Sequence, residues 1–357
     1  MLDLLKSIIK KSSWSYYVLV INILTGILHT GFLTRALGVS EFGKYHVLLA
    51  FSAIIIGLFS FLGSEALIPY VTKYKNNGDN ENLIRTIKST ISLMYFTSIL
   101  GFVFFLIVLC LKPNWAGIGE NEIILGLLIG CTGVSAANIY SYMNILRVFN
   151  NFSIYLKQAL IFDTFRVLIA ATLYYFHFGL IYYVTAILIR QVFQTLYYDF
   201  HTRRMISIHL GYNIKSLLTK RLIINAEEKS FFYFNFFSTQ LRSLSLHFDK
   251  VLINILFKST SVVGLFAIAK QISQLSELAF SNLSTAIIPQ MASDFFSDKK
   301  NLKKNIFIQT GLIMVIGFPI IGSMLLFTDN IIVLWMGAEY LSAVPIVRSL
   351  LIGVLIR

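Results

Sequence analysis

Charged residues are scarce in this chain: Asp, Glu, Lys and Arg make up 13% of its 357 residues, where a soluble domain carries about 25%. So few charges cannot cover a water-exposed surface, which excludes a soluble globular enzyme. The 56% share of hydrophobic residues excludes a disordered chain. Acidic residues are scarcer still, 17 against 30 Lys and Arg, for a net charge of +13. In a soluble protein that balance would point to nucleic acid. Here the basic residues lie between apolar runs, so membrane topology is the better account and no nucleic-acid partner is expected. Only two cysteines occur, Cys110 and Cys131. Both sit in apolar stretches outside any C-x-x-C pair, so neither a disulfide framework nor a zinc site is implied. H-E-x-x-H and G-x-x-x-x-G-K-[ST] are absent as well. No connecting segment is long enough to hold a soluble catalytic domain. The chain is therefore not expected to be an enzyme, and no cofactor or metal is called for.

What is abundant is long apolar sequence, with a mean hydropathy of +0.73. A membrane-crossing helix needs about 20 mostly apolar residues, because the hydrocarbon core is about 30 Å thick. Such stretches run over Ser12–Thr34, Tyr45–Ser64, Ser89–Leu111 and Ile123–Leu146. Lys157–Tyr198 holds two more, broken at His177-Phe178-Gly179. Ser230–Leu256, Thr260–Met291 and Asn305–Thr328 follow, the first two carrying internal charges, and Leu341–Ile356 is a shorter last stretch. The expected fold is thus an all-α integral membrane protein, a polytopic helix bundle of about ten transmembrane helices. Met1–Lys11, with Lys6, Lys10 and Lys11, reads as a short interfacial segment ahead of the first span. That span is too long for a cleaved signal peptide.

The Lys and Arg residues between spans give the orientation. With a cytoplasmic N-terminus, 19 of them fall in cytoplasmic segments and 5 (Arg35, Lys44, Lys112, Lys250, Lys258) on the other side. Cytoplasmic segments of membrane proteins are enriched in Lys and Arg, so the alternation supports both the span order and a cytoplasmic N-terminus.

The sequence also repeats. Leu37-Gly38-Val39-Ser40-Glu41-Phe42-Gly43-Lys44-Tyr45 opens a span that closes on Pro69. Lys258-Ser259-Thr260-Ser261-Val262-Val263-Gly264-Leu265-Phe266 opens another that closes on Pro289. Both copies run into a basic cytoplasmic segment and share one membrane orientation. Parallel repeats of this kind build transporters from two similar bundles with substrate between them. The expected organisation is a six-helix lobe over residues 1–200, a basic inter-lobe loop over 201–229, and a partial second lobe of about four helices over 230–357.

At these residues the chain resembles the polysaccharide transporter family of the multidrug/oligosaccharidyl-lipid/polysaccharide flippase superfamily, in particular the O-antigen flippases of Wzx type. The resemblance rests on three pieces in order: Thr34-Arg35-Ala36-Leu37-Gly38-Val39-Ser40-Glu41-Phe42-Gly43-Lys44-Tyr45; Phe248-Asp249-Lys250 ahead of Val263-Gly264-Leu265-Phe266-Ala267; and Leu334-Trp335-Met336-Gly337-Ala338-Glu339-Tyr340. It implies a carrier that moves undecaprenyl-pyrophosphate-linked oligosaccharide from the inner to the outer leaflet of the bacterial inner membrane, as in O-antigen and lipopolysaccharide biosynthesis. It also implies contact with membrane lipids, and a polysaccharide polymerase and a chain-length regulator as partners. Family members usually have twelve or more helices in two six-helix lobes. The second lobe here stops in its fourth span, which suggests a fragment, a truncated gene or a short form that works with a partner.

Charges inside spans are expensive and usually face a wet cavity or a partner. Arg242, Leu246 and Asp249 share one helical face at i, i+4, i+7, and Lys270, Gln274, Glu277 and Ser281 share another. Asn22, Thr25 and His29 make an uncharged polar stripe on the first span. In the family the corresponding helices line the central cavity. The candidate translocation residues are therefore Arg242, Lys270, Asp249, Glu277, Lys250, Arg35 and Asn22. Arg pairs with phosphate oxygens through two bonds and Lys acts as a point charge, which suits a pyrophosphate headgroup. Glu65, Asp249 and Glu277 are the candidate carboxylates for coupling to a proton or sodium gradient. Asp163 and Arg166, at i, i+3, are expected to neutralise each other, Arg190 to anchor at the interface near Asp199, and His29 to pack. Two other functions stay open: a multidrug exporter of the same superfamily, and an inactive relic.

Overall fold

The computed structural model describes residues 2–59, 64–149, 151–211, 216–219, 226–277, 311, 315 and 317–356. Residues 2–19, 64–67, 137, 152, 155, 226–232 and 356 are described by backbone alone. Among the described residues there are helices and no strand. In order these are α1 (Leu2–Phe59), α2 (Ser64–Asn76), α3 (Asn80–Leu111), α4 (Ile123–Val148), α5 (Phe152–Gln158), α6 (Thr164–Phe176), α7 (Leu180–Leu210) and α8 (Ala226–Phe257). Then come α9 (residues 260–277), α10 (Gly317–Leu326), α11 (Thr328–Trp335) and α12 (Val344–Ile356). A π-helical turn, Ala159–Asp163, joins α5 to α6. The protein is an all-α, multi-pass membrane protein.

Helix ends follow the local chemistry. Asp79 caps α3 by accepting from the Asn82 backbone at 3.1 Å and from the Asn82 side chain at 2.5 Å. These hydrogen bonds hold the Asp79 carboxyl below its usual range. α1 is two arms broken at Gly38, whose φ of 66° and ψ of 177° an L side chain adopts only with strain. The break falls between the two apolar stretches that the sequence reading separated. Residues 2–11, read as a separate interfacial segment, run without interruption into the first arm. α7 continues to Leu210, so the first part of the expected inter-lobe loop is helical instead. Leu217 from that loop is buried, and the Thr219 backbone donates to Ser92 Oγ at 2.7 Å.

Among the described residues, five helical segments are long and apolar enough to cross a membrane, or six if α10 and α11, bent by 72° across their junction, form one span. This is fewer than the ten stretches picked out from the sequence. Val20–Phe59 counts once although Gly38 divides it. α7 and α8 are 31 and 32 residues long but carry internal charges. The stretch between residues 278 and 310 lies outside the described residues.

Two buried clusters organise the bundle. One joins both halves of the chain: Leu33, Phe42 and Leu48 from α1 pack in it with Val251 from α8, Ala267 and Ile268 from α9, and Ile332 and Val347 beyond. The other draws on α2, α3, α4, α5 and α7 and the segment after them, with Val71, Leu83, Ile87, Ile145, Ile154, Tyr198, Met205 and Leu217. The two halves of the chain meet at one end of the bundle, where Gly38 faces Glu339, Gly117 faces Thr260 and Asn254, and Gly337 faces Arg35.

Candidate functional site: the junction of the two halves

The repeated glycines meet there. Gly43 of α1 and Gly264 of α9 lie backbone to backbone. A Cβ on Gly43 would run into the carbonyl oxygen of Thr260 and sit 2.8 Å from the Gly264 nitrogen. A Cβ on Gly264 would run into the carbonyl oxygen of Val39 and sit 3.3 Å from the Gly43 Cα. The contact is reciprocal. Gly43 meets the residue four before Gly264, and Gly264 meets the residue four before Gly43. Ser40 Oγ and Thr260 Oγ1 close the crossing at 3.1 Å. Apolar burial gives little drive for helix association within lipid, so close backbone approach through small residues takes its place.

Further contacts tie this end. Asn254 Nδ2 donates to the carbonyls of Asn114 at 3.1 Å and Trp115 at 3.3 Å. Lys44 pairs with Glu41 at 2.7 Å and with Glu122 at 2.6 Å. On the other flank Arg35, Thr34 and Ile27 hold the end of α11. Arg35 Nη2 donates to the Leu334 carbonyl at 2.6 Å, Thr34 Oγ1 to Met336 at 3.2 Å, and Trp335 Nε1 to Ile27 at 2.7 Å. Arg35 therefore serves here as a tie between helices.

Beside this junction α1, α9 and Trp335 line an open pocket of about 380 Å³. Asn22, Thr30, Gln271, Gln274 and Trp335 supply its polar groups, and Ile23, Ile27 and Leu275 its apolar wall. Gln271 Oε1 is enclosed with no hydrogen-bond donor. Carboxamides, a hydroxyl and an indole face can hydrogen-bond and stack on a polar ring. Asn22 was named from the sequence; Gln271, Trp335 and Thr30 were not, since amides and indoles leave no charge signal in an apolar run.

Of the charged candidates, Lys270 and Asp249 are brought together as an ion pair between α9 and α8. Lys270 Nζ also donates to the Leu246 carbonyl at 2.9 Å, so Asp249 and the Leu246 backbone meet α9 while the Leu246 side chain is exposed. Lys250 is half-buried beside them, its backbone N–H donating to Asp249 Oδ1 at 2.8 Å. Arg242, nearly two turns earlier on α8, is exposed and forms no ion pair among the described residues. Glu277 lies in the last described turn of α9, and Glu65 in the first turn of α2 with its side chain outside the described residues. Ser281 is outside them too.

The reading of Asp163, Arg166 and Arg190 needs correction. Asp163 and Arg166 form no ion pair among the described residues, although they are three apart at the start of α6. Arg190 does not reach Asp199, which pairs with Arg203 at 2.5 Å. His29 Nε2 and the Tyr183 hydroxyl are 2.5 Å apart, deep among the N-terminal helices.

The chain belongs to the polysaccharide biosynthesis protein family, whose model matches residues 32–345. No curated protein matches it in sequence. Its fold is similar to that of an inward-facing multidrug resistance transporter of the MATE family and MOP superfamily, with a TM-score of 0.70 and 13% identity over 93% of this chain and 77% of the other. A MATE transporter in complex with MaD3S and one in the straight conformation each align with a TM-score of 0.59 and 13% identity, over 98% of this chain and 79% of theirs. The chain thus joins a polysaccharide biosynthesis family to a fold that it shares with membrane transporters.

Proposed function

We propose that this protein is a flippase for a polyprenyl-pyrophosphate-linked oligosaccharide, the repeat unit of an O-antigen or another surface polysaccharide. In this reading it lies in the bacterial inner membrane with a cytoplasmic N-terminus, and carries its cargo from the inner to the outer leaflet. Residues 1–200 and the part of the chain from 230 onward act as two lobes that rock about the Gly43–Gly264 crossing. With that orientation, the crossing is the outer gate. One observation carries the reading: the repeated glycines seal one end of the lobe junction, beside a cavity lined by amides and an indole. Those groups suit sugar hydroxyls, while the polyprenyl tail stays in the bilayer. The Asp249–Lys270 pair adjoins the cavity through Gln271, and with Glu277 and Glu65 it is the place to seek coupling to a proton or sodium gradient.

The test is reconstitution of the full chain in liposomes loaded with a lipid-linked oligosaccharide. Protein-dependent movement of the glycan to the opposite leaflet, lost in Gly264→Val, is the expected result. Transport of cationic dyes with no movement of the glycan would instead establish the multidrug alternative. Inertness towards both, with the fold intact, would mark an inactive relic.

A further inference from the structure

Two arginines lie inside the first seven helices with nothing to neutralise both. Arg166 is ten residues before the end of α6 at Phe176, and Arg190 is ten residues after the start of α7 at Leu180. At 1.5 Å per residue each is about 15 Å from the α6–α7 turn, halfway through a core of about 30 Å. Both side chains are half-buried, and the Nε of each is enclosed with no acceptor among the described residues. Arg190 makes one long contact, Nη1 to the Phe162 carbonyl at 3.4 Å. Arg166 makes no hydrogen bond and no ion pair among the described residues. Arg166 and Asp163 both lie within electrostatic reach of Arg190, Asp163 being the one carboxylate so placed among the described residues. The cluster thus carries an excess positive charge at mid-membrane. His29, Tyr45 and Tyr183 line it with polar atoms and feel both guanidinium charges.

An ionised side chain at this depth costs about 2.5–3.5 kcal/mol even on insertion scales. A buried guanidinium with an unpaired donor adds a desolvation penalty of its own. Two such groups side by side, offset by one carboxylate, are what a transient anion would compensate. The planar donor fork of arginine matches phosphate oxygens.

We propose that Arg166 and Arg190 form a phosphate-binding site within the first lobe, distinct from the Asp249–Lys270 pair, and that it receives the diphosphate of the lipid-linked substrate. This inference rests on the flippase reading above and assigns its headgroup site. The same phosphate chemistry is offered by anionic phospholipids, and the experiment separates the two sources.

The full chain, in nanodiscs of neutral phosphatidylcholine, is titrated with undecaprenyl diphosphate and, separately, with phosphatidylglycerol. Arg166→Gln and Arg190→Gln should each weaken binding of the diphosphate about tenfold or more, as expected for loss of a charge-assisted hydrogen bond. Loss confined to undecaprenyl diphosphate assigns the site to the substrate; equal loss for both lipids assigns it to phosphate headgroups generally. Asp163→Asn should tighten binding, because it removes the carboxylate that competes with phosphate; a purely structural role would not produce that gain. Should the Gln variants fail to fold, Arg166→Lys with Arg190→Lys keeps the charge, loses the fork and should bind with intermediate strength. Binding unchanged in a folded Arg166→Gln/Arg190→Gln variant, or weakened by Asp163→Asn, overturns the site and leaves the flippase reading standing. A wild-type chain that binds no undecaprenyl diphosphate removes the flippase reading itself.

Discussion

Lys270 in α9 and Arg190 in α7 are both cations in membrane-spanning helices, yet their surroundings differ. Lys270 has a carboxylate from the next helix and a backbone carbonyl, Asp249 and Leu246 O. Arg190 has a distant carbonyl, a second arginine and one carboxylate, Asp163, which is within electrostatic reach but forms no ion pair among the described residues. The first arrangement is self-sufficient and ties α8 to α9. The second is incomplete as it stands and gains when an anion arrives. Charges that hold the helices together and charges kept for a ligand can therefore be told apart by whether their donors are already used.

The difference predicts effects of opposite sign. The largest is expected for Lys270→Ala, which leaves Asp249 partly buried without its partner. Breaking a fully buried pair costs about 3–5 kcal/mol. Since Lys270 and Asp249 keep side-chain exposures of 17% and 29%, a smaller loss of about 2 kcal/mol is expected by thermal unfolding in detergent. The double variant Asp249→Asn with Lys270→Gln should recover most of that loss, because neither charge then remains. If the double variant is as unstable as the single one, the pair is not what joins these helices.

Arg166→Gln is expected to leave stability unchanged or raise it by up to about 1 kcal/mol, since a charge buried without a partner is removed, while transport falls. A loss of stability comparable to that of Lys270→Ala would erase the distinction between the two regions. The smallest effect is expected at Asp79. Asp79→Ala should slightly lower the melting temperature at neutral pH by removing the cap of α3. The Asp79 carboxyl is held below its unfolded value. Its contribution is therefore complete above about pH 4, the ordinary carboxylate range, and fades as pH falls through the lower folded value. Wild type and Asp79→Ala should accordingly converge in stability in acid.

Much of this architecture was legible in the sequence, because bilayer thickness imposes a length on apolar runs and glycine marks close approach. The 37–45 and 258–266 segments were matched as repeats, and they touch at Gly43 and Gly264. Thr34–Tyr45 and Leu334–Tyr340, two of the pieces that carried the family resemblance, also meet, through Arg35 with Leu334 and Thr34 with Met336. What could not be read was the partner of each charge. Spacing suggested that Asp163 would neutralise Arg166, but a three-residue interval only permits such a pair, and none forms there among the described residues. Gln274 was placed on the Lys270 face, but its meeting with Gln271, Asn22 and Trp335 in one pocket was not legible, because α1, α9 and α11 come together only in three dimensions.

The central claim is that the two halves of the chain part at the Gly43–Gly264 crossing during transport. Ser40 and Thr260 face each other across it at 3.1 Å, so Ser40→Cys with Thr260→Cys places two thiols where oxidation can bridge them. The decisive measurement is glycan translocation by this variant in liposomes, before and after oxidation and again after reduction. The account predicts that cross-linking forms readily, stops translocation and is fully reversed by a reductant. A cross-linked protein that flips its lipid-linked glycan as fast as the reduced one would contradict it.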